Sequence, residues 1–156
     1  MELALENLQK KVALNSLQIR KIVKAILRHE GIDKASLSIV FVSHQRIKAL
    51  NKKYLGREYA TDVLAFDLAE RRDGSRRGAA VIGDVIISTD AAIKNAGIYD
   101  TSLSEEIALY LIHGILHLSG YDDHKAGDIR RMRKKEQQYM TVLGAKTRNL
   151  VKGGRK

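Results

Sequence analysis

The sequence predicts a mixed α and β domain, and three observations carry that expectation. Apolar residues recur at a spacing near two in some segments and near 3.6 in others, the two periods that strands and helices impose. At 156 residues and 44% hydrophobic composition the chain is long enough for one core and short for two. Glycines and small polar residues punctuate the periodic segments where turns and caps belong.

Leu3 and Leu5 alternate as in a short first strand. From Ser16 to Glu30, Ile19, Ile22, Val23, Ile26 and Leu27 mark one face of a helix, which Gly31 closes. Ala35 to Ser43 is β-branched and nearly continuous, the pattern of an interior strand. Ser43 then caps a helix that runs through Ile47, Leu50 and Tyr54 and ends near Gly56. Thr61 to Leu68 reads as a strand, and the polar stretch ERRDGSRRGA after it as an exposed, mobile loop. Val81 to Thr89 resumes as a strand, where Gly83 and Asp84 mark a bulge or a close backbone approach. A short helix starts at Thr89 or Asp90 and stops at Gly97.

Ser102 and Glu105 form a capping box at the start of SLSEEIALYLIHGILHLSG. That helix is apolar on almost every side, so it lies inside the fold. Ile129, Met132, Tyr139, Met140 and Leu143 describe a last amphipathic helix with a basic outer face, ended by Gly144. Residues 1–145 make up the expected domain, and the basic tail 146–156 is expected to be disordered.

Three of the five histidines fall between His113 and His124. His113 and His117 stand four residues apart on the apolar helix, so both imidazoles project from one face and can share one divalent ion. A single histidine on such a helix is usually a core residue bonded to a carbonyl. Two at this spacing, with a glycine stop at Gly120 and then Asp123 or His124, form the pattern of a three-ligand zinc site with an open position. The spacing also matches part of the extended zinc-protease signature. Gly114 stands where those proteases carry the glutamate that activates water, so peptide cleavage loses its base.

The net charge is +10, and residues 125–156 hold eleven cations against two acids, nine of the ten excess charges. A basic surface beside a metal site favours a polyanionic substrate, for which RNA or DNA phosphates are the candidates. Aromatic residues are only 5% and tryptophan is absent, so no base-stacking platform is evident. With no cysteine, disulfides and thiolate ligands are excluded, and any metal rests on histidine and carboxylate. The longest apolar run, Ile107 to Ile112, is too short for a bilayer, and MELALENLQKK has no apolar signal core. The expected location is the cytoplasm, with no membrane partner.

The string HGILHLSGYDDH closely resembles the signature of the YbeY family of metal-dependent, single-strand-specific endoribonucleases. Asn51 with Tyr54, TDVLAF at Thr61 to Phe66, and IGDVIIS at Ile82 to Ser88 resemble further family segments. The resemblance implies an α+β fold, a small mixed sheet of about four strands covered by helices, with the histidine helix buried at its centre. It implies one Zn2+ per chain, with the first two ligands on His113 and His117. The third family position falls on Asp123, and a histidine follows one place later as His124. Spacing favours Asp123, which leaves His124 to brace the ligands or face phosphate. The family arginine after the position of Tyr54 is here Leu55, and Arg57, two residues on, is the candidate catalytic contact to phosphate. Thr61 and Asp62 read as a side-chain cap at the start of a strand. The resemblance further implies maturation of the 3′ end of small-subunit ribosomal RNA and ribosome quality control, with ribosomal proteins or an assembly GTPase as partners. Two rival readings are a hydrolase of peptides or small molecules, and a ribosome-associated RNA-binding protein whose zinc is structural, with Asp123 and His124 both bound.

Overall fold

The computed structural model describes residues 1–57, 61–69 and 80–152. The loop expected at ERRDGSRRGA and the end of the tail at 153–156 lie outside the described residues. Four strands, β1 (Glu2–Asn7), β2 (Ala35–Val42), β3 (Val63–Asp67) and β4 (Val81–Ser88), form one sheet in the order β1-β2-β4-β3. β1 with β2 and β2 with β4 run parallel, and β3 pairs antiparallel to β4 at the edge. The helices are α1 (Ser16–His29), α2 (His44–Leu55), α3 (Thr89–Tyr99), α4 (Leu103–Leu118) and α5 (Ala126–Leu143). This is an α+β fold with a four-stranded mixed sheet.

Alternation along the strands divides the core. Leu37, Ile39 and Phe41 of β2 and Val81, Val85 and Ile87 of β4 face the large core shared with α1, α4 and α5. Val42 and Ile86 face the other way, with Ile47 of α2 and Leu64 of β3. Central strands covered on both faces carry apolar residues on both, as Ile39 to Val42 of β2 and Val85 to Ile87 of β4 do.

The caps follow local chemistry. Asn15, Ser43, Ser88 and Ser102 each accept the backbone N–H three residues on, satisfying donors that the first helical turn leaves free. The Ser102–Glu105 box is present in both directions. Helix α3 does not stop at Gly97; it runs on to Tyr99, and Asp100 takes the left-handed conformation at φ 53°. A short acidic side chain tolerates that region, so a glycine is not required there.

Gly83 causes no bulge, because β4 pairs residue by residue with β2 and β3 on both sides. It marks a close approach: a Cβ there would lie 2.4 Å from the Phe66 carbonyl oxygen and 2.9 Å from Leu118 Cδ2. Gly114 does the same for α4, where a Cβ would meet Val85 Cγ1 at 2.5 Å. Eleven of the sixteen residues of α4 are buried, so this helix does lie inside the fold.

Residues 146–152, expected within a disordered tail, are held in place. A 3₁₀ turn over Gly144–Arg148 brings Leu150 to complete burial, and Val151 bridges to Leu14. The buried Ser104 hydroxyl donates to the Thr147 carbonyl at 2.6 Å and accepts from the Leu150 N–H at 2.8 Å. Composition made this stretch look solvated; one apolar pair, Leu150 and Val151, is enough to dock it.

Helix propensity alone would make Gly114→Ala stabilising by about 1 kcal/mol. The contact with Val85 reverses that sign, and a net loss of about 1–3 kcal/mol in chemical denaturation is expected. Adding Val85→Ala should leave the double variant more stable than the two single losses summed.

Candidate metal centre

Three elements converge at the C-terminal end of α4. The helix ends in a Schellman motif: Tyr121 N–H donates to the Leu116 carbonyl at 3.0 Å and Gly120 N–H to the His117 carbonyl at 3.2 Å. Gly120 sits at φ 114°, where a side chain would be strained, so the expected glycine stop is present. The reversal carries Asp123 back toward the two imidazoles. Asp123 Oδ2 lies 3.6 Å from His113 Nε2, and Oδ1 lies 3.8 Å from His117 Nε2. His124 points elsewhere, with Nε2 3.3 Å from Asp122 Oδ1 and its side chain 73% exposed.

His117, Asp122 and Asp123 each offer a ligand atom within 4.8 Å of the others, so this group could hold a metal ion. His113 reaches the same place through Asp123. Of Asp122 and His113, the histidine is the better-prepared donor. Asp122 is exposed and already accepts the Asp123 N–H at 2.8 Å. His113 is oriented from behind: its Nδ1 lies 2.6 Å from Glu136 Oε2 on α5. Donation from Nδ1 to that carboxylate leaves the Nε2 lone pair free for a cation, the usual arrangement of a metal-binding histidine. Burial of the His113 ring works against its protonation, but the hydrogen bond and charge of Glu136, with Asp123 and Asp62 behind, outweigh it and raise its pKa. A cation at this site would have to displace that proton, so its affinity would fall as pH drops.

Glu136 is absent from the sequence expectation, since a glutamate on a basic helix looks like a surface ion pair. The available signal was its spacing: Ile129, Met132 and Glu136 recur at the interval of a helix's buried face. With His113, Asp123 and Arg133 they line a cavity of about 270 Å³. Arg57 does not line it; its side chain is exposed, and its N–H closes α2 on the Asn51 carbonyl at 3.4 Å.

A second cluster braces the turn. The Tyr139 hydroxyl donates to the buried Glu30 carboxylate at the end of α1, and Lys135 Nζ lies 3.4 Å from the same oxygen. Burial raises the Tyr121 pKa, and the Glu30 charge adds to the rise, which places this tyrosine beside the carboxylate too. Glu30 thus ties α1, α5 and the 120–123 reversal together.

Glu106, Tyr110 and His113 follow one another along one face of α4, a polar stripe on a helix expected to be apolar all round. Asp62 acts on all three. Its own carboxylate receives the Thr61 hydroxyl at 3.4 Å, so the acid faces α4 as well as its neighbour.

Residues 4–144 match the family model described as Endoribonuclease YbeY. This chain belongs to the YbeY endoribonuclease family. An Endoribonuclease YbeY of Alkaliphilus metalliredigens is 36% identical over 149 residues, covering 92% of this chain and 96% of the relative. Another, of Syntrophus aciditrophicus, is 36% identical over 145 residues, covering 92% and 90%. The solution structure of a Thermotoga maritima protein superposes with a TM-score of 0.64 at 26% identity, over 91% of this chain and 89% of that one. The YbeY segments quoted from this sequence lie on α4 and its following turn, on α2, on β4, and on β3 with the two residues before it.

Glu106 is only 5% exposed, and burial raises its pKa, with the Asp62 and Glu105 charges adding to the rise against a Thr101 hydrogen bond. A carboxyl that holds its proton better when folded costs stability at neutral pH and recovers it on acidification. Glu106→Gln is therefore expected to raise Tm at pH 7, with the gain over wild type shrinking as pH falls toward about 4.3. Thermal scans across that range read both.

Proposed function

We propose that this chain is a zinc-dependent, single-strand-specific endoribonuclease holding one Zn2+ through His113, His117 and Asp123. The observation that carries the reading is the approach of one carboxylate to both imidazoles, at 3.6 and 3.8 Å. Donors about 2.1 Å from a common tetrahedral ion lie about 3.4 Å from one another, so each imidazole–carboxylate pair is close to the spacing that zinc requires. The ion would supply a polarised phosphoryl oxygen and a water of lowered pKa. Two imidazoles and a carboxylate make that water less acidic than three imidazoles would.

The chain's own residues do the rest. Glu136 orients His113, the Schellman reversal presents Asp123, and Ile129 and Met132 give the cavity an apolar wall that limits water. RNA enters the proposal through the family, whose relatives carry the name endoribonuclease, and through the cations of α5, among which Arg130, Arg131, Arg133 and Lys134 are exposed. The proposed task is maturation of the 3′ end of small-subunit ribosomal RNA and ribosome quality control, in the cytoplasm, beside ribosomal proteins or an assembly GTPase. No described helix is long and apolar enough to cross a membrane.

A structural ion is the second reading, favoured by the nearness of Asp122 to His117 and Asp123. A fourth protein ligand would leave no open position.

Cleavage of single-stranded RNA with and without chelator decides between them. Chelation, His117→Ala and Asp123→Ala should abolish cleavage, while His124→Ala should retain it. Unchanged cleavage after chelation would overturn the metal mechanism, and loss of metal only in His124→Ala would replace Asp123 as ligand. A 2′,3′-cyclic phosphate on the product would mark attack by the ribose 2′-hydroxyl. Glu136→Gln should weaken zinc affinity about 10–100-fold in a chelator competition, less than the loss from Asp123→Ala.

A further inference from the structure

We propose that Arg133, not an arginine of the α2 end, binds the phosphodiester to be cut, by closing its guanidinium on the non-bridging oxygens inside the His113–Asp123 cavity. This deepens the nuclease reading and rests on it.

Placement comes first. Ile129, Met132, Arg133 and Glu136 lie on one face of α5, and all four line the cavity that holds His113 and Asp123. Glu136 on that face already contacts His113, so the face is turned toward the metal ligands. Arg133 sits one turn before it on the same side.

Pairing separates Arg133 from its neighbours. Arg131 makes an ion pair with Asp128, and Lys135 lies on Glu30 and over the Tyr139 ring. Among the described residues, Arg133 makes no hydrogen bond or ion pair, although it shares a cavity with two carboxylates. Those carboxylates are engaged by His113 and His117, which leaves the guanidinium fork for a ligand from solution. An unpaired guanidinium in the cavity attracts an anion.

Size and chemistry then specify the anion. A cavity of about 270 Å³ falls just below the roughly 300–1,000 Å³ that whole small-molecule ligands fill. It has room for a phosphoryl group with its ester oxygens. The guanidinium presents paired donors that match two phosphate oxygens, and the second negative charge that builds up at phosphorus during cleavage strengthens that contact. No bond forms to Arg133 and no proton leaves it. An ammonium at the end of a lysine offers charge without the fork.

The test compares wild type, Arg133→Ala, Arg133→Lys and Lys134→Ala in the zinc-loaded full chain. Three quantities are measured: cleavage of single-stranded RNA, binding of a 2′-O-methyl strand that is not cut, and zinc affinity by chelator competition. Arg133→Ala should lose about 10–100-fold in kcat/KM, the size of a lost hydrogen bond to a charged group, with zinc affinity unchanged. Arg133→Lys should restore binding of the uncut strand but not kcat. Lys134→Ala, one residue along the same helix, reports the loss of bulk charge alone. Equal losses in Arg133→Ala and Lys134→Ala would overturn the proposal, as would full recovery of kcat in Arg133→Lys. Loss of zinc in Arg133→Ala would reduce Arg133 to a support for the ligands and also overturn it. If wild type cuts no RNA, the nuclease reading fails separately, and equal affinity of wild type and Arg133→Ala for the uncut strand then removes the phosphate contact as well.

Discussion

The contact of Gly114 with Val85 sets how closely α4 lies on β4, and the geometry of the site follows from that distance. A helix can press its backbone against a strand only where a Cβ is missing, and here two glycines, Gly114 on the helix and Gly83 on the strand, remove the obstacles. With α4 seated this deeply, α1, α3 and α5 pack around it, and the sheet closes the remaining side. Gly114 therefore has a packing role of its own. The position that a zinc protease would give to its general base is occupied here by a residue that a larger side chain could replace only by displacing Val85.

Burial of α4 creates the electrostatic situation that the site uses. His113 is mostly removed from water, and a buried imidazole is aligned by whatever acid can reach it. That acid comes from α5, the ligand carboxylate comes from the turn after α4, and Asp62 adds its field from the sheet edge. Glu30 fastens α1, α5 and Tyr121 behind them. Removing a lone partner from such a set leaves a charge without solvent, which costs more than the pair contributed. The donor atoms are thus held by a frame that extends well beyond the histidines.

Much of this was legible in the sequence, for reasons that differ by element. The period of α1, the Ser43 and Ser102 caps and the glycine ends of α1, α2 and α4 depend on local chemistry, and they stand where they were expected. The mixed sheet and buried histidine helix were legible through the family signature. Glu136 was not, because its partner lies on another helix and only packing brings the two together. The end of α3 was displaced because Asp100 accepts a conformation usually left to glycine. Residues 146–152 differ from expectation because composition averages over a stretch that Leu150 and Val151 dock. Asp123 was weighed from spacing, and its nearness to both rings depends on the φ of Gly120, a torsion that spacing does not encode.

That docked segment has a consequence for biosynthesis. Asn15 N–H donates to the Leu150 carbonyl at 2.8 Å, and Lys152 N–H to the Ala13 carbonyl at 2.8 Å, so the segment just before α1 and the segment 150–152 clasp each other. Translation delivers Ala13 long before Lys152. Residues 13–15 must therefore wait without these partners until the segment around Leu150 and Lys152 has cleared the exit tunnel.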